Sequence, residues 1–163
     1  MDNYESLLLA EMKNYFSKDL KRINHAINVL EFTKKIMTKE GGNTRIIIPA
    51  AVLHDIGIKE CEQKHNSTNV ALQEKESPVI AKKILEKINY PTEYIDEILE
   101  IIGHHHSPGK IKTLNFQVLY EADWIVNLDE DFSSLELKQK EKIITKNFRT
   151  KSGIKLAKNL YLT

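Results

Sequence analysis

The chain has 163 residues, of which 41% are apolar and 29% charged, with a formal net charge of +1. That is enough chain for one domain with a real core and no structural metal or disulfide. So balanced a charge gives no argument for nucleic acid or an anionic membrane as partner, and the single cysteine, Cys61, excludes an intrachain disulfide and fits a reducing, cytoplasmic setting.

The first segment, "MDNYESLLLAEMKNYF", carries Asp2 and Glu5 before a short apolar run, without the basic and long apolar regions of a signal peptide. No apolar stretch in the chain approaches the ~20 residues that span a bilayer. Leu8, Met12, Tyr15 and Phe16 fall on one face of a first helix, and Ile23, Ile27, Leu30 and Met37 on one face of a second that ends at Gly41-Gly42. "NTRIIIPAAVLHDIG" is apolar enough to be deeply buried, with Pro49 starting its regular helix or kinking it. A polar loop is expected from Glu60 to Val70. "SPVIAKKILEKI" follows as a helix with Ser77 as N-cap and Pro78 in the first position. "TEYIDEILEIIGHHH", "NFQVLYEADWIVNL", "SSLELKQKEKIITKNF" and "SGIKLAKNLYL" complete an all-α, single-domain helical bundle with short loops.

The anomaly is polar groups set in apolar helices. His25 lies between Ile23 and Ile27, His54-Asp55 ends "AAVLHDIG", and Asp123 sits in "LYEADWIV". A buried carboxylate without a partner is costly, so Asp55 and Asp123 need a cation or a donor set. Each residue alone has an ordinary structural role open to it. Together, two imidazoles and two carboxylates are the ligand types of a divalent transition metal such as Mn, Fe, Co, Ni or Zn. Near the middle of the chain, "HHH" at 104–106 is divided by helical register. Glu93, Glu97, Glu100 and His104 share a solvated row, whereas the Ile95, Ile98, Leu99, Ile102 stripe continues onto His105 and His106.

The order His25, His54-Asp55, Asp123, with the flanks "RINH", "LHDIG" and "EADW", resembles the HD-domain superfamily of metal-dependent phosphohydrolases from about Lys21 to Leu128. The segment from about 133 to 163 resembles a helical appendage of a small bacterial branch. The resemblance implies that His25, His54, Asp55 and Asp123 hold a first metal, with Asp55 able to bridge to a second. It makes His105, and then His106, the expected further ligands of that second ion. Dinuclear members often place a His-Pro pair where this chain has Ser77-Pro78, and Glu76 is a carboxylate that could substitute for the missing imidazole, with Glu74 a weaker choice. Arg22, one turn before His25, and Lys59, just after "HDIGI", are candidate substrate contacts. His65 has no assigned place and is expected in a loop. The Gly-Tyr-Pro extension of the cyclic-di-GMP-degrading branch is absent. The implied activity is hydrolysis of a phosphomonoester or phosphodiester, of nucleotide type, by water activated on one or two ions, with Asp55 as ligand and orienter. An HD-type diiron oxygenase and a non-catalytic, metal-stabilised nucleotide-binding module are the alternatives. The partner expected is a small phosphate ester, with no nucleic acid and no membrane.

Overall fold

The computed structural model describes residues 2–163, and the described residues form nine helices and no strand. They are α1 (Asp2–Phe16), α2 (Leu20–Glu40), α3 (Thr44–Leu53), α4 (Ile58–His65), α5 (Val70–Lys87), α6 (Thr92–Gly103), α7 (Leu114–Glu130), α8 (Leu137–Asn147) and α9 (Lys151–Tyr161). Helix α2 packs chiefly on α7 and α3, α3 lies between α2 and α6, and α5 pairs with α6. Helices α8 and α9 pack on each other, and α9 also packs on α2 and α7. No helix is long and apolar enough to cross a membrane.

The caps explain most boundaries. Asp19 starts α2 by accepting from the Arg22 backbone N–H, and Gly41, at φ 84°, ends it with its N–H on the Met37 carbonyl. Asn43 caps α3, from which Ile46 to Leu53 are all buried, as expected of the most apolar segment. Pro49 neither starts nor ends α3 but sits inside it. A proline there cannot donate to the carbonyl four residues back. That carbonyl, of Arg45, accepts instead from the Tyr90 hydroxyl at 2.6 Å. The bond comes from the corner between α5 and α6, so α3 is completed by another part of the fold.

Two boundaries differ from expectation. The stretch expected to be a loop from Glu60 is mostly α4, which closes at Asn66 in the left-handed conformation, φ 49°. Helix α5 begins seven residues before Ser77, with Asn69 as N-cap accepting from the Ala71 N–H. Ser77 is therefore a fully buried mid-helix residue, not a cap, and Pro78 lies within the helix. Its hydroxyl accepts from the Gly57 backbone N–H at 2.9 Å. A Cβ added at Gly57 would stand 2.4 Å from the Ser77 backbone nitrogen. This contact seats the turn after His54-Asp55 directly on α5.

The segment from 133 onward is tied to the bundle by Glu121 of α7, which is 0% exposed. Its carboxylate accepts from the backbone N–H groups of Arg149 (2.7 Å) and Thr150 (3.0 Å), the Thr150 hydroxyl (2.6 Å) and the Gln117 amide (2.6 Å). Four donors satisfy a charge that burial alone would penalise heavily. Two residues further along α7 comes Asp123.

Candidate metal centre

Helix α2 carries His25 inward, the end of α3 carries His54 and Asp55, and α7 carries Asp123. Their donor atoms converge. His25 Nε2 lies 3.2 Å from His54 Nε2 and 3.1 Å from Asp123 Oδ1. His54 Nε2 lies 3.2 Å from the same Asp123 oxygen, and Asp55 Oδ2 lies 3.3 Å and 3.4 Å from the two imidazoles. Ligands held ~2.0–2.2 Å from one ion stand roughly 2.8–3.6 Å from one another, octahedral edges at the short end and tetrahedral ones at the long end. The observed separations fall in that interval. Without an ion, two Nε2 atoms face each other at hydrogen-bond distance with two carboxylates beside them, so the donor set itself fits a divalent cation.

The outer ring nitrogens of His25, His54 and His105 are engaged. His25 Nδ1 donates to Glu130 at 2.9 Å, His54 Nδ1 to the Ala51 carbonyl at 2.8 Å, and His105 Nδ1 to the Ile102 carbonyl at 2.6 Å. Each neutral ring held this way leaves its Nε2 lone pair facing the centre, which is the arrangement of metal-ligating histidines. Burial alone would push the Asp55 and Asp123 carboxyls up, but the neighbouring imidazoles override it and hold both well below the usual carboxylate range. Burial likewise lowers His25 and His54, and is outweighed by the two carboxylates, which raise them to about 11 and about 10 in the ion-free site. The site is thus avid for positive charge and takes protons when no ion is present.

A second donor set adjoins the first through Asp55. Its Oδ1 lies 3.1 Å from His105 Nε2 and 3.9 Å from His106 Nε2, and the three donor atoms lie within 4.8 Å of one another. His105 is buried, and the buried His106 Nε2 has no hydrogen-bond partner among the described residues. Burial and the adjacent His105 ring hold His106 below the ordinary imidazole value, so it presents a neutral lone pair. The triplet lies in the turn just past α6 rather than on the helix. Glu74 of α5 pins that turn, accepting from the His106 N–H at 3.0 Å and the Ser107 hydroxyl at 2.9 Å. His104 points away, its ring bonded back to the Glu100 carbonyl at 2.8 Å.

Three sequence candidates are placed elsewhere. Glu76 does not stand in for an imidazole: it turns toward α4, where it takes His65 at 3.2 Å and Lys64 at 3.4 Å. His65 accordingly lies on α4 and pairs with Glu76 rather than lying in a loop. Arg22 is occupied by two carboxylates, Asp19 at 2.8 Å and Glu62 at 2.6 Å, and joins α2 to α4. Lys59 donates to the Tyr15 carbonyl at 3.1 Å and lies over the Tyr15 ring, closing the end of α1. Neither cation lines the pocket at the centre.

That pocket holds about 350 Å³ beside Asp55, Asp123, His105 and His106. Ile58, Val70 and the Trp124–Phe132 pair, 5.7 Å between ring centroids, form apolar walls. Gln73, Asn127 and Asp131 supply further polar edges, and no Lys or Arg lines it. Asn127 and Glu130 were detectable in principle. They follow Asp123 by four and seven residues on α7, which returns them to its face. Glu130 is also one of three consecutive carboxylates, Asp129 to Asp131, at a helix C-terminus, where anions are disfavoured.

The family model described as HD domain matches residues 22–128. The chain belongs to the HD-domain family. The matched range contains all four residues of the first donor set and both inward histidines, clusters that could hold a divalent metal. A crystal structure described as a predicted HD superfamily hydrolase from an uncultured Thermotogales bacterium superposes with a TM-score of 0.70. It shares 21% identity over 95% of this chain and 83% of its own, which shows a common HD fold. No curated protein sequence matches the chain.

Proposed function

We propose that this HD domain is a phosphohydrolase that cleaves a small phosphomonoester or phosphodiester, of nucleotide type, on a dinuclear divalent metal centre. The observation that carries the reading is Asp55, whose two oxygens face different donor sets, Oδ2 toward His25 and His54 and Oδ1 toward His105. His25, His54, Asp55 and Asp123 would hold one ion, and Asp55, His105 and His106 a second.

Bound ions would supply a water acidified to near-neutral pKa and a Lewis acid for a phosphoryl oxygen. The remaining work belongs to the chain. Asp55, with its side chain 19% exposed at the pocket floor, can orient a water against the substrate and accept its proton. Glu130, Ala51 and Ile102 lock three imidazoles in one orientation. Trp124 and Phe132 exclude water and offer an apolar face to the group carrying the phosphate, while Gln73 and Asn127 offer amides to its polar edges. Because no ammonium or guanidinium lines the pocket, substrate charge is met by the bound cations, and 350 Å³ suits a compact ester.

The test is metal analysis of purified protein followed by hydrolysis assays on phosphate esters with Mn, Fe, Co, Ni and Zn in turn. His54→Ala and Asp55→Ala are expected to abolish both metal content and turnover, and intact turnover in Asp55→Ala would refute the proposal. A second reading, an HD-type diiron oxygenase, is favoured by the presence of a second donor set, Asp55, His105 and His106, and by the lack of cations in the pocket. Iron-dependent oxygen uptake without phosphate release would select it.

A further inference from the structure

The near-zero net charge conceals a segregation. Residues 133–163 carry eight Lys or Arg against two Glu, whereas the other 132 residues carry sixteen against twenty-one Asp or Glu. Elsewhere four lysines pair with carboxylates, in Lys34–Glu5, Lys64–Glu60, Lys82–Glu86 and Lys87–Glu11. Beside α8 and α9 none does among the described residues.

A cleft of about 970 Å³ opens there, between the loop preceding α7 and the α8–α9 corner. Lys112, Lys146, Arg149 and Lys151 line it, all exposed, and none forms an ion pair within 4.0 Å among the described residues. The one carboxylate in the lining, Glu40, accepts from the Ser152 backbone N–H at 2.8 Å and is committed to α9. The neutral polar groups are satisfied among themselves: the Tyr120 hydroxyl donates to Asn147 at 2.7 Å, and the Asn147 amide to the Ile143 carbonyl at 2.9 Å. The floor is apolar, with Phe116 and Tyr120 stacked at 5.6 Å and 18°. The volume is at the upper end of the ~300–1,000 Å³ of small-ligand sites. Four cations without an ion pair on one concave wall raise the positive potential there, which favours a ligand carrying several negative charges over a monovalent one; Arg149 also donates to the Phe148 carbonyl at 2.9 Å.

We infer that this cleft is a second ligand site, separate from the metal centre, that binds a polyphosphate chain, free or carried by a nucleoside. Lys112, Lys146, Arg149 and Lys151 take the phosphates, and the more open apolar rim at Ile111 and Leu114 is placed to meet an attached base or sugar, Phe116 and Tyr120 being buried beneath it. Tyr120 also lines the metal pocket and precedes Asp123 by one turn of α7, so the ligand touches a wall the two sites share. The inference does not depend on the proposed hydrolysis.

Calorimetric titration of the full chain with inorganic tripolyphosphate and with adenosine 5′-(β,γ-imido)triphosphate tests it. Lys146→Ala/Lys151→Ala is expected to weaken both at least tenfold. Lys82→Ala/Lys83→Ala, which makes the same change of net charge at exposed positions on α5, is expected to stay within twofold. A His54→Ala protein should keep wild-type affinity. Tighter binding of the nucleoside compound assigns the apolar rim to the base, and equal binding assigns the site to the phosphate chain. Absence of binding, equal losses in the two lysine pairs, or loss only in His54→Ala would overturn the inference. So would displacement of tripolyphosphate by a 20-base-pair DNA duplex at lower concentration, which would make the face a nucleic-acid surface.

Discussion

Glu130 offers the sharpest separation of site function from fold stability. It is the last residue of α7, with a side chain about 25% exposed, and its described ion pair is to His25 Nδ1 at 2.9 Å. Loss of an outer partner of a ligating imidazole typically costs 10–100-fold in metal affinity, or about 1.4–2.7 kcal/mol. The same substitution should help the helix. A carboxylate at a helix C-terminus opposes the macrodipole by roughly 0.3–1 kcal/mol. For a chain of this length that corresponds to a rise of about 1–4 °C in the melting temperature of the metal-free protein. Glu130→Ala should therefore bind Zn or Co at least tenfold more weakly, by competition with a chromophoric chelator, while the metal-free protein melts within a few degrees of wild type, the relieved helix terminus offsetting part of the lost His25 pair. Glu130→Gln keeps a carbonyl that can accept from Nδ1 and should fall between the two. Metal affinity within twofold of wild type in Glu130→Ala would refute the reasoning. A fall of several degrees in melting temperature would instead show that the residue holds the fold.

His104→Ala should leave turnover and metal content nearly unchanged, whereas His105→Ala and His106→Ala should each lower the metal content toward one ion per chain; the opposite pattern would mean the turn after α6 faces the other way. Metal binding should release protons. In the ion-free site burial lowers His25 and His54, but Asp55 and Asp123 outweigh it and raise them to about 11 and about 10, so an arriving ion displaces protons. Calorimetry in buffers of different ionisation enthalpy counts them. In the chelated protein, stability from these raised imidazoles is fully present below about pH 6.5 and declines as pH rises toward 10–11, a slope the metal-loaded protein should lack. Gly153→Ala places a Cβ 1.9 Å from the Glu121 carboxylate, so it must break the anchor that binds α9 to α7. A loss of about 3 kcal/mol or more is expected in denaturant unfolding, since buried donors are left without partners.

The convergence of the candidate ligands was legible because they violate the pattern around them. His25, His54 and Asp123 are polar groups on helix faces that are otherwise core, and a shared partner would reconcile all three. The register of α6 also carried through the turn to separate His104 from its neighbours. The cations were harder. Whether Arg22 and Lys59 are free depends on Glu62 and on the Tyr15 carbonyl, groups 40 and 44 positions away whose approach no local pattern announces. Glu76 misled because Ser77-Pro78 resembles a helix start. Asn69 holds that role, and the seven earlier residues turn Glu76 onto α4. The pairing of Glu74 with the His106 turn is likewise a long-range fact.

The hydroxyl of Tyr90 on the Arg45 carbonyl has a dynamic consequence. Helix α3, which ends at His54, borrows one of its own backbone partners from the corner that joins α5 to α6. A segment completed from outside does not open by itself. The amide protons of α3 and of that corner should therefore exchange with solvent as one slow cooperative unit, and the ligand pair at 54–55 inherits the lifetime of both.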